Sequence, residues 1–224
     1  MMTQDELVNQ TRNEILALLQ EINRPGIENV IRYLQDSTFF RARCNSHHQF
    51  RGGLAVHSLG VYKEFEKLDS GLPEDSIRIV ALLHDICKSR HSLYDHIGIT
   101  YRNGKPHKHH GLRSALLLEE LGLVFHIGEY YAIEKHMHRI KHTPTKDQYG
   151  IRDSIRHYLH QSDHRDAETF PKGFDSYTAH RSSKYLVDSY IYSTCKKGKE
   201  VLIDELHNRH SEFYTAFGKL IPNM

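Results

Sequence analysis

Residues 79–88 read IVALLHDICK, five apolar side chains that lead straight into His84 and Asp85. Burying a charged carboxylate in such a stretch costs several kcal/mol unless something pairs with it, a large share of a domain's net stability. An imidazole beside a carboxylate is also a pair of donors for a divalent ion. Helical phase finds more donors of the same kind, because positions three, four and seven apart share a helix face. His57 lies three after Leu54, four before Val61 and eight before Phe65. His84 follows Ile77 by seven and Val80 by four. His110 is in line with Leu117, Leu118 and Leu121, and His136 falls three after Ile133 and four before Ile140. Asp163 comes four after Leu159 and eight after Ile155. Four histidines and two aspartates therefore point inward from five separate helices. An ordinary core hydrogen bond accounts for any one of these histidines alone. Two buried carboxylates among four of them require a compensating cation. Neutral imidazoles and carboxylates suit Mn, Fe, Co, Ni or Zn better than Mg, which prefers all-oxygen shells.

The chain has 19 histidines, and most fall elsewhere. His138 shares its face with Tyr131, Glu134, Lys135 and Lys141, a solvated phase. His157, His160 and His164 fall with Asp153 on a polar face. His47, His48, His107, His109, His126, His142, His180, His207 and His210 sit in loops or exposed phases.

The elements that must position the inward set are helical. Ile15, Leu18, Leu19 and Ile22 mark one helix over about 5–23, and Ile27, Val30, Ile31 and Leu34 mark a second, with Pro25 at its first turn. Residues 37–53, ending in Gly52 and Gly53, have no period and read as a loop. LAVHSLGVYKEFEKL is a helix, and the helix over GLPEDSIRIVALLHDICK opens with Pro73 and two acids, a good start near the positive end of the dipole. Residues 89–109 read as a polar surface loop. Helices are expected over about 110–121, 128–141 and 151–163, a loop over 164–181, and two more helices over about 182–197 and 199–217. No strand alternation, internal repeat or low-complexity linker stands out. The expectation is an all-α fold: one domain over 1–224, with extra N- and C-terminal helices packed on a central bundle.

Composition narrows the function class. A net charge of +2 gives no global field of the kind a dedicated nucleic-acid binder carries. Cys44, Cys87 and Cys195 show no CxxC spacing and cannot all pair, which points to a reducing, cytoplasmic compartment. The polar start MMTQDELVNQ lacks a signal core, and no apolar run approaches the roughly 20 residues of a membrane span.

The order His57, then His84–Asp85, then later histidines, then Asp163 resembles the HD superfamily of metal-dependent phosphohydrolases. LLHDICK is similar to its central helix motif. HHQFRGGLAVHSLGVY resembles the first-histidine stretch of small stand-alone bacterial and phage members, and is similar to the HD domain of a bacterial 3′-to-5′ exoribonuclease. INRPGIENVIRYLQDSTFF looks like the lead-in of the phage-type group, and the likeness spans about 22–167. The resemblance implies an HD-domain helical bundle in which His57, His84, Asp85 and Asp163 bind one metal. It implies further that His110 and His136 serve a second ion, with Asp85 bridging both. Lys88 matches a lysine that would reach a phosphate oxygen. The departure is Cys87, where the family carries glycine.

The chemistry implied is phosphoester hydrolysis, with Asp85 and Lys88 as catalytic residues. A metal there would polarise a phosphoryl oxygen and supply hydroxide, and a second about 3.5–4 Å away would steady the leaving oxygen. Arg41, Arg43 and Arg51 flank the first-ligand loop, and Lys105, Lys108 and Arg113 flank His110; guanidiniums suit bidentate phosphate binding. Of these, Arg51, Arg113 and Lys88, with His109, are the expected substrate contacts. His109 and His47 are candidate proton donors, and Tyr94, His96 and Tyr101 could stack on a base. The expected substrate is a phosphorylated small molecule, a nucleotide or nucleotide-like ester. Two alternatives stand beside it: a 3′-to-5′ exonuclease on single-stranded RNA or DNA, and a non-catalytic binding module whose metal is structural. A steep loss of substrate binding with salt separates the exonuclease from the mononucleotide enzyme.

Overall fold

The computed structural model describes residues 4–44, 47–68, 70–91, 93, 101–102, 105–106, 109–138 and 150–170. These residues form seven α-helices: α1 (Gln4–Gln20), α2 (Ile27–Asp36), α3 (Gly53–Glu66), α4 (Glu74–Leu83), α5 (His110–Glu120), α6 (Glu129–Lys135) and α7 (Gly150–Thr169). A 3-10 turn, Ile86–Lys88, follows α4. Two minimal strands, β1 (Tyr101–Arg102) and β2 (Lys105–Pro106), pair antiparallel before α5. Two residue pairs are too few to leave an alternation in the sequence, and the fold is all-α as expected. No helix among the described residues is long and apolar enough to cross a membrane.

Helix α3 is the centre. Its residues from Gly53 to Leu59 are buried all round its axis, because α7, α4 and α1 pack on it from different sides. Helix α6 lies against α5, α7 and α4. One apolar cluster runs from Ile15 and Leu19 of α1 through Leu54, Val61 and Phe65 of α3 to Ile155 and Leu159 of α7. A smaller one joins Phe50 and Val56 with Leu7 and Phe170.

Several boundaries differ from the sequence expectations. α1 ends at Gln20, and Ile22 fills the core from the turn beyond it. Pro25 is not in the first turn of α2; Gly26 caps that helix at a φ of 87°. A β-carbon at Gly26 would fall 2.0 Å from the carbonyl oxygen of Gly122, so the α1–α2 and α5–α6 turns meet backbone to backbone. The helix expected through Lys88 stops at Leu83, and the one expected through 141 stops at Lys135. In the other direction α7 continues to Thr169, through part of the expected loop. The expected helices over 182–197 and 199–217 lie outside the described residues, as do Tyr94, His96 and Lys108.

The seam between the two turns is polar as well as tight. Arg24 Nη1 donates to both carboxylate oxygens of Glu129 at 2.7 and 2.6 Å, with the side chains only 2% and 0% exposed. Glu129 also accepts from the His126 backbone N–H at 2.8 Å, closing the N-terminal turn of α6. This pair fixes the start of the helix whose other end carries His136. Removing one partner of a buried ion pair strands the other charge. Arg24→Ala is therefore expected to lower the unfolding free energy by about 3–5 kcal/mol, read from urea titration; a loss below about 1 kcal/mol would match an exposed pair instead.

Candidate metal centre

Two of the inward histidines owe their orientation to helix ends. The last carbonyls of an α-helix have no partner within it. His84 is the C-cap residue of α4, and its ring Nδ1–H donates to the Ala81 carbonyl at 2.9 Å. His136 repeats this at the end of α6, donating Nδ1–H to the Ile133 carbonyl at 2.7 Å. A carbonyl only accepts, so each ring keeps its proton on Nδ1 and turns a bare Nε2 the other way. His57 sits inside α3, and its Nδ1 lies 2.6 Å from Asp166 Oδ2.

Asp85 reaches the same space because the α-helix has already ended. In a continuous helix, neighbouring side chains point about 100° apart. Asp85 instead takes φ −112° and ψ 14°, in the sparsely populated bridge region, and joins His84 on one side. Its Oδ2 lies 3.4 Å from His84 Nε2 and 3.9 Å from His57 Nε2, and accepts from Lys88 Nζ. Its Oδ1 lies 3.4 Å from His110 Nε2 and 3.7 Å from His136 Nε2. Asp163 Oδ1 is 3.2 Å from His57 Nε2 and 3.9 Å from His84 Nε2. His110 and His136 meet through their Nε2 atoms at 3.1 Å. All six residues named as metal ligands thus converge, and all are buried.

The electrostatics follow from that crowding. Burial alone would raise the Asp85 carboxyl, but the Lys88 ammonium and His84 hold it well below the usual carboxylate range. Burial works the same way on Asp163, and the hydrogen bond to His57 with the charge of His84 holds it low. His57 is pushed down by burial and lifted further by hydrogen bonds to Asp163 and Asp166, reaching about 9. His136 goes the other way: burial and the field of His84 lower it to about 3.

Does the set fit an ion? His84 Nε2 and Asp85 Oδ1 are buried without a hydrogen-bond partner, a rare condition for buried polar atoms. Ligand atoms of His57, His84 and Asp163, and of His84, Asp85 and His136, lie within 4.8 Å of one another. Bare imidazole nitrogens and carboxylate oxygens are the donors that first-row divalent ions take. These buried groups could hold a metal ion.

The remaining expected residues divide. Lys88 is half-buried against Asp85. Arg51 and Arg113 are half-buried, and His109 is exposed at the N-cap of α5. Cys87 is fully buried; its thiol donates to the His110 carbonyl at 3.1 Å, so this residue braces His110 from behind. His138 is exposed, in keeping with its solvated phase. His48 is a correction: read as a loop or exposed histidine, it is 1% exposed, with its ring 3.7 Å from that of Phe170. The loop carrying it folds back under α7, which no periodicity could announce. Asp166 was missed because α7 was expected to end at 163. It follows Leu159 by seven, so the same phase rule extended one turn would have found it.

No protein-family model, curated protein or solved structure matches the chain. A helical fold with a buried His/Asp cluster able to take a metal is compatible with an HD-type arrangement.

The shifted histidines set a pH profile for the chelator-treated protein. His57, at about 9 when folded against 6.5, contributes stability that is full below pH 6.5 and lost as pH rises through 9. His136, at about 3, binds its proton only on unfolding, so stability falls as pH drops below 6.5 toward 3. Asp85 and Asp163, both held low, add to the acid-side loss. Urea midpoints in chelator are expected to peak near pH 6.5 and fall on both sides, with the alkaline fall absent in His57→Gln. A profile flat from pH 6.5 to 9 in the parent would contradict the assignment of His57.

Proposed function

We propose that the chain is a metal-dependent phosphohydrolase of HD type that cleaves a phosphate ester of a nucleotide or nucleotide-like substrate. The observation that carries this reading is the split of Asp85: Oδ2 faces His57 and His84, while Oδ1 faces His110 and His136. A carboxylate serving two donor groups from its two oxygens is the disposition a bridging ligand needs. His57, His84, Asp85 and Asp163 would hold one ion, and His110 and His136, with Asp85, a second, of Mn, Fe, Co, Ni or Zn. Bound there, a divalent ion supplies Lewis acidity toward a phosphoryl group and acidifies water at neutral pH.

The chain's own groups do the rest. Nδ1 hydrogen bonds from His57, His84 and His136 hold the rings in the ligating tautomer. Burial keeps bulk water from the donors. Lys88 brings an ammonium to the edge of the cluster, and Arg113 follows His110 by one turn of α5; both suit an anionic substrate. Arg41, Arg43 and Arg51, on the segment leading into His57, are half-buried cations of the same use.

A second reading, a non-catalytic module whose metal is structural, draws on the burial of all six donor residues, the closed setting of structural ions. Elemental analysis of protein purified without chelator, paired with hydrolysis of bis(4-nitrophenyl) phosphate and a panel of nucleotides, separates the two. The hydrolase is expected to carry about two transition ions per chain, with none in Asp85→Ala and about one in His136→Ala. Hydrolysis is lost with the ions in Asp85→Ala and unchanged in His138→Ala. A parent that holds its ions but hydrolyses none of these esters would leave the module with a structural metal, and one that holds no ion, and takes up none from added Mn, Co or Ni, would overturn both readings. Cleavage of oligonucleotides with a steep salt dependence, and none of mononucleotides, would favour the exonuclease.

A further inference from the structure

Helix α7 places two carboxylates against opposite edges of one ring. Asp163 Oδ1 lies 3.2 Å from His57 Nε2, and Asp166 Oδ2 lies 2.6 Å from His57 Nδ1. Asp163 belongs to the donor set already described; Asp166 faces away from it. The other two oriented rings use orphan carbonyls at the ends of their own helices. His57 has no such recourse, because it lies inside α3, where the carbonyls are spent on the helix ladder. Its Nδ1–H needs an acceptor from another element.

The chain makes room for that acceptor. Gly60 stands three residues after His57, one turn along α3. A β-carbon there would sit 1.9 Å from Asp166 Oδ1 and 2.7 Å from its Cγ. The Asp166 carboxylate fills the space that any other residue at 60 would claim, and it is 7% exposed as a residue. His48 closes the far side, with Nε2 3.6 Å from Asp166 Oδ2.

We propose that Asp166 is the positioning residue of His57, seated by Gly60: it holds the ring with Nδ1 protonated, leaves Nε2 as the ligating atom, and strengthens that nitrogen as a donor to a divalent ion. A carboxylate on the outer nitrogen fixes ring orientation and raises ligand basicity, and its loss typically weakens metal affinity about 10–100-fold. The inference rests on the metal-centre reading.

The test is Co(II) affinity by competition with a chromophoric chelator, with ion count and the Co(II) visible spectrum as companions, on the full chain. Asp166→Ala is expected to bind about 10–100-fold more weakly with the number of ions unchanged and the visible bands shifted. Asp166→Asn, which can still accept from Nδ1 but lacks the charge, is expected to fall between it and the parent. Gly60→Ala alters no donor and favours the helix, yet is expected to weaken binding by displacing the carboxylate. Circular dichroism checks each fold; should Asp166→Ala not fold, Asp166→Asn and Gly60→Ala decide. Parental affinity and spectrum in those variants would overturn the role of Asp166 while leaving the metal centre standing. A parent that binds no Co(II) would overturn both.

Discussion

The described structure is organised around charge held largely out of water. Asp85 and Asp163 are buried carboxylates in the middle of a helical core, and each buried ion carries an effective desolvation cost of several kcal/mol. That cost is tolerated only because imidazoles, an ammonium and helix ends are drawn in around them. The centrality of α3, buried on all sides near His57, follows from the same need. The ring must be reached at its Nε2 edge by the end of α4 and by Asp163 of α7, and at its Nδ1 edge by Asp166. The helices are scaffolding for a polar object, and their apolar faces are what allow that object to be dry.

The geometry also shows why the donors come from ends and turns as much as from helix faces. His84 and His136 occupy C-caps, where a ring can satisfy a spare carbonyl and still look outward. Asp85 occupies a bridge-region turn, where the chain can re-aim a side chain that a helix would send elsewhere. Cys87 then fills the place behind His110. A glycine there would leave the His110 carbonyl without that thiol.

Much of this was legible in the sequence, because burial and helical phase obey the same periodicity. The inward set His57, His84, His110, His136 and Asp163 emerged from helical spacing, with Asp85 drawn in as the neighbour of His84, and the all-α class came with it. What phase could not give were features set by tertiary context. The end of α4 at Leu83 lies within an apolar run that keeps helical spacing past it. The burial of His48 depends on Phe170, far along the chain. The extension of α7 past 163 runs through a polar-looking stretch packed against α3, so Asp166 keeps the phase of Leu159 on an element whose length the sequence does not announce. The pairing of Arg24 with Glu129 spans 105 positions and has no local signature.

The spread of donors along the chain has a consequence in time. During synthesis His57, His84 and Asp85 are made well before Asp163 and Asp166, which arrive only with α7. Domains fold as units, and a nascent chain that lacks α7 has neither Asp163 nor Asp166 to meet the two edges of the His57 ring. α7 therefore acts as the clasp of the assembly.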